Sequence, residues 1–428
     1  MRNEYAVKGN IIFTKEFGKF EIIKNGYIVV QDNLVRGLYK EINNEFKGLK
    51  IIDYGDAMII PGFVDIHLHA PQFANLGLGL DMELMPWLEE YTFPEEGKFS
   101  DVSYAKRVYS SLIKELWKSG TTRSCIFATI HKNSTKLLMD MIAKSGLSAY
   151  VGKVNMDRNS PDYLTEKTQD SVCDTEEILK EYSNKYKIVK PIVTPRFVPS
   201  CSTELLRKLG FLAKKYNAPV QSHLCENYNE VSFVKKLHPN CKNYTSLYDE
   251  AGLLGEVPTI MAHCVLVDRD EIELLARKKV FIAHCPSSNC NLASGNAPIR
   301  RLLNSGVKVG LASDISGGNS LSMMDIIVNS AQVSNLKWLE SNRVDKPLNL
   351  SELFYLATKG GGEFFGKVGS FEEEYEFDAL VIDDKSSPTF KTLSMEERLQ
   401  KFIYTGDSTN IKVRYVAGKK VEQPQCYI

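Results

Sequence analysis

The chain is 428 residues long, with 53 basic and 53 acidic side chains and 43% hydrophobic residues. A chain of that length buries a large core and accommodates one big α/β domain with a smaller companion, while its balanced charge excludes the one-signed field that a nucleic-acid backbone or an anionic membrane selects. The polar start MRNEYAVKGN has no apolar secretory core and no later window approaches eighteen uninterrupted apolar residues, so a soluble, cytoplasmic protein is expected.

From about 10 to 60 the pattern is short and β-like: NIIFTKEF, KFEIIKNGYIVVQ and LKIIDYG alternate apolar and polar residues, and Asn25-Gly26 predicts a hairpin turn. Eight apolar runs follow, most of them trailed by helical periodicity: MIIPGFVDIHLH (58–69), TTRSCIFAT (121–129), LSAYVGKVNMD (147–157), IVKPIVTPRFV (188–198), APVQSHLCE (218–226), PTIMAHCV (258–265), VFIAHCPSS (280–288) and VKVGLASDI (307–315). Helices are predicted over 101–119, 135–145, 175–186, 203–216, 227–237, 268–279, 298–305 and 321–340. Strands this apolar have no wet face, so eight β-then-α units predict an α/β fold, a closed parallel (β/α)8 barrel of the TIM type with its helices outside. After about 370, YEFDALVIDD and KFIYTGDSTNIKVRYVAGKKV revert to a β texture. Neither terminal segment buries a core alone, so the N- and C-terminal segments, 1–60 and 370–428, are expected to pair into a small β-sandwich beside a barrel over 61–369. The insert 70–100 is long for a βα loop and is a candidate lid or pocket wall.

The nine cysteines (Cys125, Cys173, Cys201, Cys225, Cys241, Cys264, Cys285, Cys290 and Cys426) are scattered and odd in number, which argues for reduced thiols and against a disulfide framework. His284, Cys285 and Cys290 invite comparison with a zinc knuckle, but the second cysteine pair is missing, and buried, unreactive thiols are the preferred reading.

Polar residues in these strands fall at their C-terminal ends: His67 and His69, Asp157, Arg196, His223 with Glu226, His263, His284 and Asp314. In such a barrel all eight ends converge on one axis, so residues 250 positions apart can share a pocket. His67 and His69, at a spacing of two, point the same way from a strand. With His223 and Asp314 they make a three-nitrogen, one-oxygen set that leaves a position for water, the make-up of an open catalytic site, although each histidine alone reads equally as a hydrogen-bonded core residue. A bound divalent ion lowers the pKa of its water from ~15.7 to about 7. Glu226 and Asp314 are then candidate proton carriers, and His263 is either a donor to that water or a fourth imidazole ligand. For Glu226 the alternative is a solvated carboxylate at a helix N-terminus. Arg196 with Phe197 offers a guanidinium beside a stacking face, and Gln72 offers a donor and an acceptor, which suits a small, planar, polar ligand. The alternative is that Arg196 pairs with an internal acid and Gln72 caps a loop.

PGFVDIHLHAPQ, TPRFVPSCS, QSHLCEN, MAHCV, AHCPSSN and LASDISGG stand in the order and at the strand positions of the amidohydrolase superfamily. With DMELMPWLEEYTFPEE, LATKGGGEFFG and FDALVI they resemble, more narrowly, the guanine deaminases. That resemblance implies hydrolysis of guanine to xanthine and ammonia with one zinc ion on His67, His69, His223 and Asp314, although iron(II) suits the same donors. It implies guanine bound by Gln72, Arg196, Phe197, His223, Glu226 and Asp314, and metal-hydroxide attack at C2 with Glu226, Asp314 and His263 as catalytic residues. It also implies a homodimer. Superfamily members with two metals use a carboxylated lysine ending the fourth strand; here Lys190 lies near that strand's start, which favours one metal. The rivals are an aminohydrolase for another ring, such as cytosine, an adenosine-type base or a triazine, and a non-enzymatic scaffold on the same barrel.

Overall fold

The computed structural model describes residues 4–385 and 389–425; Cys426 lies outside them. Four strands open the chain: β1 (Glu4–Glu16), β2 (Lys19–Gln31), β3 (Leu34–Tyr39) and β4 (Lys50–Pro61). The αβ alternation then runs through β5 (Phe63–His69), β6 (Thr121–Phe127), β7 (Ser148–Gly152), β8 (Val154–Asn155), β9 (Val189–Pro191), β10 (Thr194–Pro195), β11 (Val220–Leu224), β12 (Thr259–His263), β13 (Phe281–His284) and β14 (Lys308–Leu311). Three strands close it: β15 (Ala379–Ile382), β16 (Ile411–Val416) and β17 (Lys419–Lys420). No helix among the described residues is long and apolar enough to cross a membrane.

The central strands form two parallel four-stranded sheets, β5-β6-β7-β9 and β11-β12-β13-β14, with β8 and β10 pairing beyond β7 and β9. The sheets meet along two seams. At one, the Val193 N–H donates to the Pro219 carbonyl (2.9 Å) and the Gln221 N–H to the Val193 carbonyl (2.9 Å). At the other, the Asp314 N–H donates to the His67 carbonyl (2.9 Å) and the His69 N–H to the Ile315 carbonyl (3.1 Å). The second seam is therefore built by three of the four residues expected to hold a metal or by their neighbours. Every residue of β5, β6, β11, β12 and β13 is buried, as two-sided coverage requires. Val64 and Ile66 of β5 share one apolar cluster with Ile260 and Ala262 of β12. These strands are not neighbours, so that cluster lies between the sheets, beneath the strand ends.

The termini do pair: β4 lies parallel to β1 and antiparallel to β15, giving one sheet in the order β17-β16-β15-β4-β1-β2-β3. The two-layered sandwich is not confirmed, since the hydrogen bonding gives a single sheet. It is curled: Tyr5 of β1 and Tyr415 of β16 are three strands apart, about 14 Å on a flat sheet, yet their rings stack at 6.3 Å. One face encloses Val7, Ile11, Phe13, Phe377 and Val381; the other sends Ile12, Met58, Ile60, Leu380 and Ile382 into the core of the barrel helices. Buried aliphatic side chains of this kind contribute roughly 1.5–3 kcal/mol each, which ties the terminal sheet to the barrel.

Three expectations change. The run 58–69 is two strands, for β4 ends at Pro61 in the terminal sheet and β5 begins at Phe63 in the barrel. Asn25-Gly26 is not a turn but lies inside β2, beside a bulge: Gly9 opposes Gly26 and Ile11 opposes Ile23, so Asn10 alone faces Lys24 and Asn25, and its side-chain oxygen accepts the Asn25 N–H at 3.0 Å. The β1–β2 turn falls instead at Phe17-Gly18, where Gly18 takes φ +79°. Finally, KFIYT, read as β, is the last turn of a helix Met395–Thr405 whose Ser394 and Glu397 form a reciprocal N-terminal cap.

Candidate active site

The ends of β5, β11 and β12, with the residues following β10 and β14, converge on one cleft. It is lined by His69, Gln72, Leu84, Trp87, Leu88, Arg196, Phe197, His223, Glu226, His263, Leu292 and Asp314. His67 lies beneath it, fully buried. A register shift between Asp65 and Leu68 in the β5–β6 ladder accompanies the two histidines, and four non-glycine residues at the strand ends sit in the left-handed region: Cys225 (φ +50°), His263 (+71°), Cys264 (+50°) and Asp314 (+48°). Strain of this kind, of order 1–3 kcal/mol per residue, gathers at sites whose side chains must be re-aimed.

The ligand-capable atoms of His67, His69 and His223 lie within 4.8 Å of one another, as do those of His67, His263, Cys285 and Asp314. The expected ligand set spans both groups: Asp314 Oδ1 is 3.1 Å from His67 Nε2 and 3.7 Å from His69 Nε2. His69 Nε2 and His223 Nε2 face each other at 3.0 Å. His223 Nδ1 stands 2.6 Å from the Arg196 carbonyl, which only accepts, so Nδ1 carries the proton and Nε2 presents a lone pair. His263 Nδ1 is oriented in the same way by Asn289 Oδ1 at 2.9 Å. Nδ1 of His67 and Nδ1 of His69 are buried without a hydrogen-bond partner. Imidazole lone pairs and a carboxylate converging with too few protons to pair them fit a divalent cation.

The surroundings keep the imidazoles of His69, His223 and His263 neutral. Burial pushes His69 and His223 down, helped by the neighbouring imidazoles, and burial brings His263 down to about 4. Burial, with the Asp314 and Glu230 carboxylates adding, pushes the Glu226 carboxyl well up. Glu226 is not a solvated helix-cap carboxylate: it is 3% exposed and its Oε2 lies 3.3 Å from His263 Nε2. Its backbone N–H donates to Glu230 Oε2 at 2.8 Å, and Glu230 is held in turn by the Tyr244 hydroxyl at 2.6 Å. The helix after it is capped by Asn227.

Arg196 does pair with an internal acid, Glu96, its Nη1 donating to Oε2 at 2.6 Å. Gln72 donates from Nε2 to Glu96 Oε1 at 3.0 Å and accepts the Ser316 N–H on Oε1 at 3.2 Å. Both still line the cleft, as does Phe197, whose ring is 6.4 Å from that of His223. The 70–100 insert is helical and forms the cleft's apolar wall through Leu84, Trp87 and Leu88.

Other strand-end residues lie elsewhere. Asp157 accepts from Ser202 N, Ser202 Oγ and Thr168 Oγ1, a structural clasp. His284 faces a separate small cavity with Asn296 and Arg300. Lys190 Nζ donates to the Ser183 carbonyl at 2.7 Å, away from the cleft. No knuckle forms, since Cys290 is exposed whereas Cys285 joins the His67 and Asp314 group.

The sequence reading missed Glu96, Asn289 and Phe127, whose ring packs at 4.7–4.8 Å on those of His67, His69 and His223. Glu96 lies three residues after Phe93 on the helix Phe93–Gly97, on the same buried face.

The amidohydrolase family model matches residues 58–421. The guanine deaminase of Dictyostelium discoideum is 39% identical, covering 97% of each chain; the human guanine deaminase is 43% identical over 85% of this chain and 82% of its own length. A crystal structure of guanine deaminase from C. acetobutylicum with guanine bound in the active site superposes with a TM-score of 0.95 at 52% identity, covering 98% of this chain and all of that one. The chain belongs to the amidohydrolase family, in the company of the guanine deaminases.

Proposed function

We propose that this chain hydrolyses guanine to xanthine and ammonia, as a cytoplasmic homodimer with one zinc ion per chain held by His67, His69, His223 and Asp314. The observation that carries the reading is the likeness, over 98% of the chain, to a structure holding guanine in its active site, with a cleft here that joins convergent metal donors to a guanidinium and an amide. We read the two seams as closing one eight-stranded (β/α)8 ring, which brings the strand ends to a common mouth.

When bound, the ion supplies Lewis acidity that makes a water nucleophilic near neutral pH. Everything else falls to side chains. Arg196 and Gln72 grip the polar edge of the purine, and Phe197 and Trp87 wall it. Glu226, the carboxyl nearest His263, protonates the ring nitrogen next to C2 as that carbon becomes tetrahedral. Asp314 takes one proton of the attacking water, with His263 orienting it, and passes it to the amino group; as the C2–N bond breaks and ammonia leaves, the remaining hydroxyl proton at C2 returns to Glu226 and C2 becomes a carbonyl. The apolar wall of Leu84, Trp87 and Leu88 excludes bulk water, which strengthens each of these charge interactions.

Metal-replete protein is expected to convert guanine to xanthine in a spectrophotometric panel, with little turnover of adenine, cytosine or triazines. Inert guanine beside a consumed alternative base would overturn the substrate assignment.

A further inference from the structure

Glu96 joins the two polar groups that face the ligand. It is 2% exposed, and its carboxylate accepts from Arg196 on Oε2 and from Gln72 on Oε1. Gln72 is held from the other side by the Ser316 N–H on Oε1. A backbone N–H only donates and a carboxylate only accepts, so the amide of Gln72 has a single orientation that satisfies both neighbours. That leaves one lone pair on Oε1 and one hydrogen on Nε2 for a ligand, in fixed places. Arg196 spends one of its five N–H groups on Glu96 and keeps the rest for an acceptor. Its guanidinium is further confined over the Phe93 ring, 5.3 Å from the centroid.

Phe93 and Glu96 share the helix Phe93–Gly97, within the same insert that supplies Leu84, Trp87 and Leu88 to the cleft wall. The insert therefore seats the apolar wall and orders the polar grip in one packing event. We propose that Glu96 is a positioning residue that determines specificity: it never touches the reacting atoms, and through Arg196 and Gln72 it makes the cleft select a purine bearing both a ring carbonyl and an adjacent donor–acceptor edge. This rests on the guanine reading above and deepens it.

The test compares wild type, Glu96→Gln and the swap Gln72→Glu/Glu96→Gln, all metal-loaded, on guanine and on 2-aminopurine, which keeps the reacting amino group but lacks the carbonyl. Glutamine at 96 offers only one acceptor, so either Arg196 or Gln72 meets an NH2 group and the grip loses its geometry. Misplacement on the scale of an ångström costs about 10²-fold. Glu96→Gln is expected to keep its metal and to lose about that much in kcat/KM for guanine, chiefly through KM, with little loss on 2-aminopurine, so the preference between the two shrinks by a similar factor. In the swap the chain of donors is consistent again: the Ser316 N–H and the new amide NH2 at position 96 both donate to the carboxylate at position 72, and Arg196 donates to the amide oxygen at position 96. The swap is expected to regain the melting temperature but not the guanine preference, because position 72 no longer offers a hydrogen. Wild-type KM and preference in Glu96→Gln overturn the inference; should that variant not fold, a folded swap with the wild-type preference overturns it equally. Failure of wild type itself to turn over guanine would instead sink the underlying function, a distinct result.

Discussion

Arg123, on β6, is where the barrel is bolted to the terminal sheet, and breaking that bolt has a calculable cost. Its Nε and Nη2 donate to the two oxygens of Asp378 at 2.5 and 2.9 Å, Nη2 also meets Glu376 at 2.8 Å, and Nη1 meets Ser148 Oγ at 3.0 Å. Arg123 is 3% and Asp378 1% exposed, so solvent cannot replace a lost partner. Asp378→Ala leaves a buried guanidinium with only the Glu376 carboxylate and the Ser148 hydroxyl, and takes an acceptor from the Ala417 N–H, bonded to Asp378 at 2.7 Å. Breaking a buried pair from one side costs about 3–5 kcal/mol, whereas replacing both partners by apolar residues is often nearly neutral. Chemical denaturation of the metal-saturated protein, followed by tryptophan fluorescence, is expected to show a loss in that range for Asp378→Ala and recovery of at least ~2 kcal/mol in Arg123→Met/Asp378→Ala. The Asp378 backbone carbonyl still receives the Gly62 N–H, one residue before β5, so kcat of the folded single variant should stay near wild type. A loss below about 1 kcal/mol, or a double variant no more stable than the single, would refute this account.

Glu226→Gln preserves shape but cannot act as an acid; kcat is expected to fall about 10²–10⁴-fold with metal content unchanged, and near-wild-type turnover would remove Glu226 from the proton path. Dialysis against a chelator should abolish turnover and added zinc restore it, with elemental analysis giving one ion per chain; two ions would contradict the single-ion site. Burial holds the His284 imidazole down at about 3, against an ordinary ~6.5, in a cavity also lined by Arg300, Lys337 and Asp345. Below ~6.5 the unfolded chain binds a proton that the folded one refuses, so this stability is complete above that pH and is lost towards pH ~3 at about 1.4 kcal/mol per unit. His284→Gln should remove one proton's worth of that slope between about pH 6 and 4, and an unchanged slope would count against a buried neutral ring.

What was legible in the sequence divides along a physical line. His67, His69, His223 and Asp314 were readable because a barrel turns a local feature, a polar residue at the end of an apolar strand, into a shared place; no knowledge of which strand neighbours which is needed. The terminal sheet was readable only in outline. That the segments are β follows from alternation, but whether they make two layers or one curled sheet depends on β4 meeting β15, residues more than 300 positions apart, and no local pattern carries that pairing. Asn25-Gly26 shows the same limit on a small scale, for whether it turns or runs on beside a bulge was decided by Asn10 on the neighbouring strand. Glu96 was hidden differently. The insert breaks its helical period with Pro86, Pro94 and a wide turn at Leu88–Thr92, so four glutamates stand in eight residues with no stripe to sort them. Glu89 and Glu90 face solvent, Glu95 pairs with Lys98, and Glu96 turns inward. Its selection becomes visible only from the far side, as the acceptor that a buried Arg196 and a doubly constrained Gln72 both require. A buried cation announces that a counter-charge exists, and here that counter-charge comes from the inserted segment after β5.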